Sequence, residues 1–155
     1  MIDFGPYNFS ESGKRVMARA MEESRHHDHN FIGPEHIFMA LIDVERGLFN
    51  EVMQSLNLDP DLVVRALNEA LTLPKQYTGR GMRVHSSGQT VLRIAYDRAR
   101  QRGRKEIDAA DLFVSLFQSR QGAPVELLRQ LGADPDIVLK KITTRVHTRE
   151  EGYEQ

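Results

Sequence analysis

The sequence contains no cysteine, which removes disulfides, thiolate nucleophiles and cysteine-based zinc sites together. It also lacks any apolar run near the roughly 20 residues that a membrane-spanning helix needs. The first residues, Met1 to Tyr7, hold neither a basic cluster nor an apolar segment of the kind found in a secretory signal. A cytoplasmic location without membrane association is the expectation. Neither sign of charge is in excess, since 21 basic and 22 acidic residues leave a net charge of −1, and no nucleic-acid partner is expected. One local basic run, Arg98, Arg100, Arg102, Arg104 and Lys105, has no interleaved aromatics after Tyr96 and reads as a solvated helix end. Phosphate loops of the G-x-x-x-x-G-K-[ST] and G-x-G-x-x-G types are missing, as is a G-x-S-x-G nucleophile elbow. No catalytic residue and no cofactor are expected, and any nucleotide-driven activity would have to come from other segments or chains.

What is present is ordinary globular composition, 40% hydrophobic and 28% charged over 155 residues, enough for one domain or for two small modules sharing a core. The informative feature is an internal repeat. The segment from Leu56 through Asp59-Pro60-Asp61 to Arg65 returns from Leu131 through Asp134-Pro135-Asp136 to Lys140, an offset of 75 residues. The same offset carries Ile32 to Ile107, Ile37-Phe38 to Leu112-Phe113, Leu41 to Leu116 and Gly47 to Gly122 without a gap. One unit therefore covers residues 9–73 and the other 84–148, joined by a Pro- and Gly-containing linker at 74–83 and flanked by 1–8 and 149–155, the latter read as the start of a charged linker.

Each unit reads as four helices. Val16, Met17, Ala20, Met21 and Ser24 lie on one helical face, and Val91, Leu92, Ala95, Tyr96 and Ala99 repeat the pattern. Ser10 is the expected N-cap of the first helix; Ser86 with Gln89 forms an expected capping box in the second unit. Second helices start at Gly33-Pro34-Glu35 and at Asp108-Ala109-Ala110, and fourth helices at Asp59-Pro60 and Asp134-Pro135, with Pro at the first helical position where a missing N–H costs nothing. No segment alternates as a strand would. The fold class is all-α, two tandem four-helix repeats packed as a pseudo-two-fold eight-helix domain, because each unit alone is too small for a robust core.

Two groups of side chains carry possible chemistry. His26, His27, His29 and His36 lie close together near Asp28 and Glu35, but without the i, i+4 spacing that places two imidazoles on one helix face. They fall where the first helix should end, a position that suits histidine, and no metal site is expected; a metal hydrolase built on this cluster is the alternative from another class. Glu35, at the second position of its helix, either stabilises the helix N-terminus or projects into a groove to recognise a cation.

Phe9-Ser10-Glu11 followed by Val16, and then Asn30-Phe31-Ile32-Gly33-Pro34-Glu35-His36-Ile37, resemble the signature of the Clp N-terminal repeat. The likeness extends over residues 9–148. The first unit is more similar to the ClpC type, whereas Glu106-Ile107-Asp108-Ala109-Ala110-Asp111-Leu112 is as degenerate as its counterpart in the ClpA type. The resemblance implies a non-catalytic N-terminal domain of a Hsp100 AAA+ unfoldase, which docks adaptors (MecA-like or ClpS-like) and protein substrates for an ATPase ring that unfolds them for degradation. A free-standing regulator or decoy of the same fold is the alternative. It further implies binding of phosphorylated arginine, with Ser10, Glu11 and Glu35 forming the pocket of the first repeat. The 75-residue offset puts His85 and Ala110 in the equivalent second-repeat positions, where Ala110 offers no carboxylate.

Overall fold

The computed structural model describes residues 4–73, 82–120 and 122–154. Eight helices make up nearly all of the regular structure among these residues: α1 (Glu11–His26), α2 (Pro34–Val44), α3 (Arg46–Ser55), α4 (Pro60–Thr72), α5 (Ser86–Gln101), α6 (Ala109–Gln118), α7 (Ala123–Gln130) and α8 (Pro135–Glu154). The helix bounds follow the sequence repeat. Helix α5 begins and ends 75 residues after α1, and α6 and α8 begin 75 residues after α2 and α4.

Helices α2 and α6 are apolar on nearly every side, with Ile37 through Ile42 and Leu112 through Phe117 all buried. A helix of this composition has to lie at the centre of its domain. The two pack against each other, and α1 and α5 cover them from outside. One core serves both units: the Phe38 ring meets Phe49 of its own unit edge-on at 6.0 Å and Phe117 of the other at 5.6 Å. Leu41 and Leu116 occupy equivalent sites and are both fully buried.

The helix starts follow the capping chemistry. Ser10 accepts a hydrogen bond from the Gly13 N–H, Asp59 from Asp61, and Asp108 from Asp111, while Pro34 and Pro60 take the first helical positions. The start of α5 departs from expectation. Its N-cap is His85, whose Nδ1 accepts from the Ser87 N–H, so that Ser86 is already helical and Gln89 donates to the Val84 carbonyl instead of closing a box. The 75-residue offset explains the shift, because His85 is the counterpart of Ser10.

A two-stranded parallel ribbon, β1 (Phe31–Ile32) and β2 (Arg83–Val84), joins the units, and an isolated bridge pairs Phe9 with Ile107. Two residues per strand leave no alternation to read in a sequence. The ribbon also places Arg83, the last residue of the expected 74–83 linker, in a strand; residues 74–81 lie outside the described ones. Nor does α8 stop near residue 148. It continues to Glu154, and Arg149 reaches Glu45 of the first unit at 2.8 Å.

Candidate binding site

The two units interlock through the N-terminal turns of their first helices. The Ser10 N–H donates to the Ile107 carbonyl, and the His85 N–H donates to the Ile32 carbonyl, both at 2.9 Å. Donors and acceptors are related by the repeat, so these are two copies of one junction. Glycine permits both. A β-carbon on Gly13 would stand 2.2 Å from the Ile107 oxygen, and one on Gly88, its counterpart, 2.9 Å from the Ile32 oxygen. Each junction therefore brings the start of one unit's outer helix against the start of the other unit's central helix, α1 with α6 and α5 with α2.

This arrangement corrects the expected pocket. Ser24 Oγ donates to the Phe31 carbonyl at 2.5 Å, which fixes the start of α2 beside the far end of α1. Ser24 lies 14 residues along α1 from Ser10, about 21 Å at a rise of about 1.5 Å per residue. Ser10 and Glu35 hence belong to different junctions. Ser10 and Glu11 share theirs with Asp108, Ala109 and Ala110 of the second unit, where Ser12 Oγ accepts from the Ala109 N–H at 3.0 Å. Glu11 itself is exposed and pairs with Lys14 at 3.7 Å. Glu35 stands at the other junction with His85, whose ring lies 6.1 Å from that of Phe31.

The Glu35–His85 junction is the one with a carboxylate. Glu35 is 9% exposed, and its Oε1 occupies the space that a β-carbon on Gly33 would fill, 2.0 Å away. A residue other than glycine at the N-cap would expel it. The carboxylate thus lies over the first turn of α2, where it stabilises the helix by about 0.3–1 kcal/mol, and within 3.6 Å of His36 Nδ1. The Ser10 junction has Ala110 at the matching position, which is half-buried and without a polar group.

Behind each junction stands a polar bridge that sequence reasoning missed. In the first unit His36, fully buried, accepts the Gly33 N–H at Nδ1 (2.9 Å). That leaves the proton on Nε2, which donates to His29 Nδ1 at 2.8 Å. The His29 ring stacks between Phe31 at 5.3 Å and His27 at 5.8 Å, and His27 meets Glu23 at 2.9 Å. The histidine cluster is thus a packed hydrogen-bonded chain. Among the described residues no group of three or more side chains is arranged to hold a metal ion.

In the second unit the counterparts of Glu23, His29 and His36 are Arg98, Arg104 and Asp111. Asp111, fully buried, accepts from Arg98 at 2.5 Å, from Arg104 at 2.8–2.9 Å and from the Asp108 N–H at 2.9 Å. Burial alone would raise its pKa; hydrogen bonds from Arg104, the Asp108 N–H and Arg98, with the Arg104 charge, hold it below the usual carboxylate value. Asp108 is pushed up, by burial and then by the adjacent Asp111 charge. Much of the basic run is therefore engaged rather than solvated: Arg98 and Arg104 hold Asp111, Arg102 pairs with Glu150, and Arg100 lies over the Tyr96 ring at 5.6 Å. The offset from His36 to Asp111 was the available signal, but it joins unlike residues and only a structure shows that they do the same work.

No helix among the described residues is long and apolar enough to cross a membrane. The chain is similar to the chloroplastic chaperone protein ClpC1 of Oryza sativa subsp. japonica, 28% identical over 145 residues, covering 89% of this chain and 15% of that protein. It is likewise similar to a chloroplastic ClpA homolog, the ATP-binding subunit of the ATP-dependent Clp protease, of Brassica napus, 27% identical over 92% of this chain and 16% of that protein. It thus spans about a sixth of the length of such relatives. Among solved structures, the Hsp104 N-terminal domain of Candida albicans matches with a TM-score of 0.72 at 14% identity, covering 87% of this chain and 89% of that one. The N-terminal domain of the ClpD chaperone of Arabidopsis thaliana matches with a TM-score of 0.70 at 18% identity, covering 90% and 95%. The model of the Clp repeat (R) N-terminal domain matches residues 8–131, and the chain belongs to that family.

Proposed function

We propose that this domain is a non-catalytic docking module of a Clp-type AAA+ unfoldase, which receives protein substrates, arginine-phosphorylated ones among them, and adaptors of the MecA or ClpS kind. The observation that carries this reading is the junction of α2 with α5. It sets a nearly buried carboxylate, Glu35, beside the N-terminal turn of α5 with His85 as its cap. A phosphoarginine side chain has two ends, and this junction offers a partner for each. Glu35 can accept a fork of two N–H bonds from the guanidinium, and helix N–H groups favour the phosphate. At the Ser10 junction the helix start is present but Ala110 supplies no carboxylate, so recognition there is weaker. ATP hydrolysis and transfer of the captured protein belong to an ATPase ring that this domain serves.

The test is retention of arginine-phosphorylated casein on the immobilised domain, with unphosphorylated casein alongside and free phosphoarginine as competitor. Selective retention that free phosphoarginine abolishes is the expected result. Equal retention of both caseins would reduce the function to capture of unfolded protein. ATP turnover or stoichiometric zinc in the isolated domain would overturn the non-catalytic reading.

A further inference from the structure

Away from both junctions, each unit carries a groove between its first, second and fourth helices, and the two grooves correspond through the repeat. The first, of about 570 Å³, is bounded by α1, α2 and α4 and includes Arg19, Glu22, Glu23 and Asp43. The second, of about 680 Å³, is bounded by α5, α6 and α8 and includes Asp97, Arg98, Arg102, Thr143 and Thr144. Adding 75 to Glu22, Glu23, Asp43 and Asn68 gives Asp97, Arg98, Gln118 and Thr143, all of which line the second groove. Its apolar floor, Val114 and Leu139, likewise answers to Met39 and Val64. The shape has been retained and the charge inverted. Three carboxylates and one guanidinium line the first groove; two guanidiniums and one carboxylate line the second.

A second observation concerns the two guanidiniums of this groove. Helix α8 runs past the length of its counterpart α4, and its added turns bring Glu150 onto the groove's cationic end. One Glu150 oxygen lies 3.1 Å from Arg98, and the other pairs with Arg102. Arg98 is also committed to the buried Asp111, whereas Arg102, about a third exposed, has no second acidic partner among the described residues. A carboxylate of α8 thus already pairs in cis with both guanidiniums that line the groove. We infer that the groove between α5, α6 and α8 binds an acidic peptide segment of a partner protein, whose carboxylates displace Glu150 from Arg102 while its apolar side chains cover Val114 and Leu139. This site is separate from the Glu35 junction and does not depend on phosphoarginine recognition.

The experiment is fluorescence anisotropy with a labelled nonapeptide, Glu-Leu-Glu-Glu-Leu-Glu-Glu-Leu-Glu, on the whole domain at low salt. Glu150→Gln removes the internal competitor and should tighten binding by about tenfold, the scale of one charge-assisted hydrogen bond. Arg102→Gln should weaken it by about the same factor. Gln101→Trp, at an exposed lining position, should block the groove without unfolding the domain, and so decides the matter if Arg102→Gln melts. Glu22→Gln in the acidic groove should change nothing. Unaltered binding in Glu150→Gln or in Gln101→Trp would overturn the proposal. So would equal affinity for pyrophosphate or a nine-base single-stranded DNA, which would make the groove a general anion site.

Discussion

The first unit closes the turn between its first two helices with His29 and His36, and the second closes the same turn with Arg104 and Asp111. The residues correspond one to one through the repeat, and in both units the third residue of the central helix accepts the N–H of its own N-cap, Gly33 or Asp108. The geometry is shared and the chemistry is not. A neutral imidazole pair works as long as both rings keep a bare Nδ1, on His36 for the Gly33 N–H and on His29 for His36. A guanidinium–carboxylate cluster works as long as the carboxyl is ionised. Duplication preserved the backbone requirement, an acceptor for a buried N–H, and left each unit free to supply it differently.

The contrast predicts unequal penalties. Asp111→Ala leaves Arg98 and Arg104 partly buried without their shared anion. It should cost about 3–5 kcal/mol in urea unfolding, the range for breaking a buried ion pair from one side. Leu41→Ala and Leu116→Ala, equivalent core positions, should each cost about 2–5 kcal/mol and lie close to one another. A large difference between them would mean that the two halves of the core are packed to different standards.

The bridges also differ in what an added proton does to them. In the first unit, protonating His36 at Nδ1 converts the acceptor of the Gly33 N–H into a donor. That bridge therefore has no place for a second proton on the His36 ring. In the second, the Asp111 pKa is lowered, so its contribution is present above the unfolded carboxylate value of about 3.9 and is lost only as the pH falls through the still lower folded value. Amide exchange followed from pH 7.5 to 5 should therefore show the Asp108 amide keeping its protection, because Asp111 stays ionised over that range. Loss of that protection above pH 5 would show that Arg98 and Arg104 do not hold the Asp111 carboxyl ionised.

Much of this architecture was legible beforehand. The ungapped offset, the apolar faces of α1 and α5 and the Gly-Pro and Asp-Pro starts sufficed for eight helices in two like halves, since each depends on local chemistry. What escaped notice depends on partners remote in sequence. The exchange of junctions, Ser10 to Ile107 and His85 to Ile32, has no local signal, because Gly13 and Gly88 look like ordinary helix residues until the opposing carbonyl is placed. The pairing of Ser10 with Glu35 assumed that each unit closes its own site. The structure instead builds each site from the outer helix of one unit and the central helix of the other. Arg98 and Arg104 likewise read as surface charge until Asp111 is found behind them.

The consequence for function is that the two candidate sites differ at the cap, His85 against Ser10, and in the carboxylate, Glu35 against Ala110, and calorimetry with free phosphoarginine on three proteins measures the second difference directly. The unmodified domain should bind at one dominant site. Glu35→Ala should weaken binding by about tenfold to a hundredfold, the cost of a lost charged hydrogen-bond partner, and Ala110→Glu should add a second site at the Ser10 junction. Equal affinity in the unmodified domain and in Glu35→Ala would contradict the account and leave Glu35 as a helix cap.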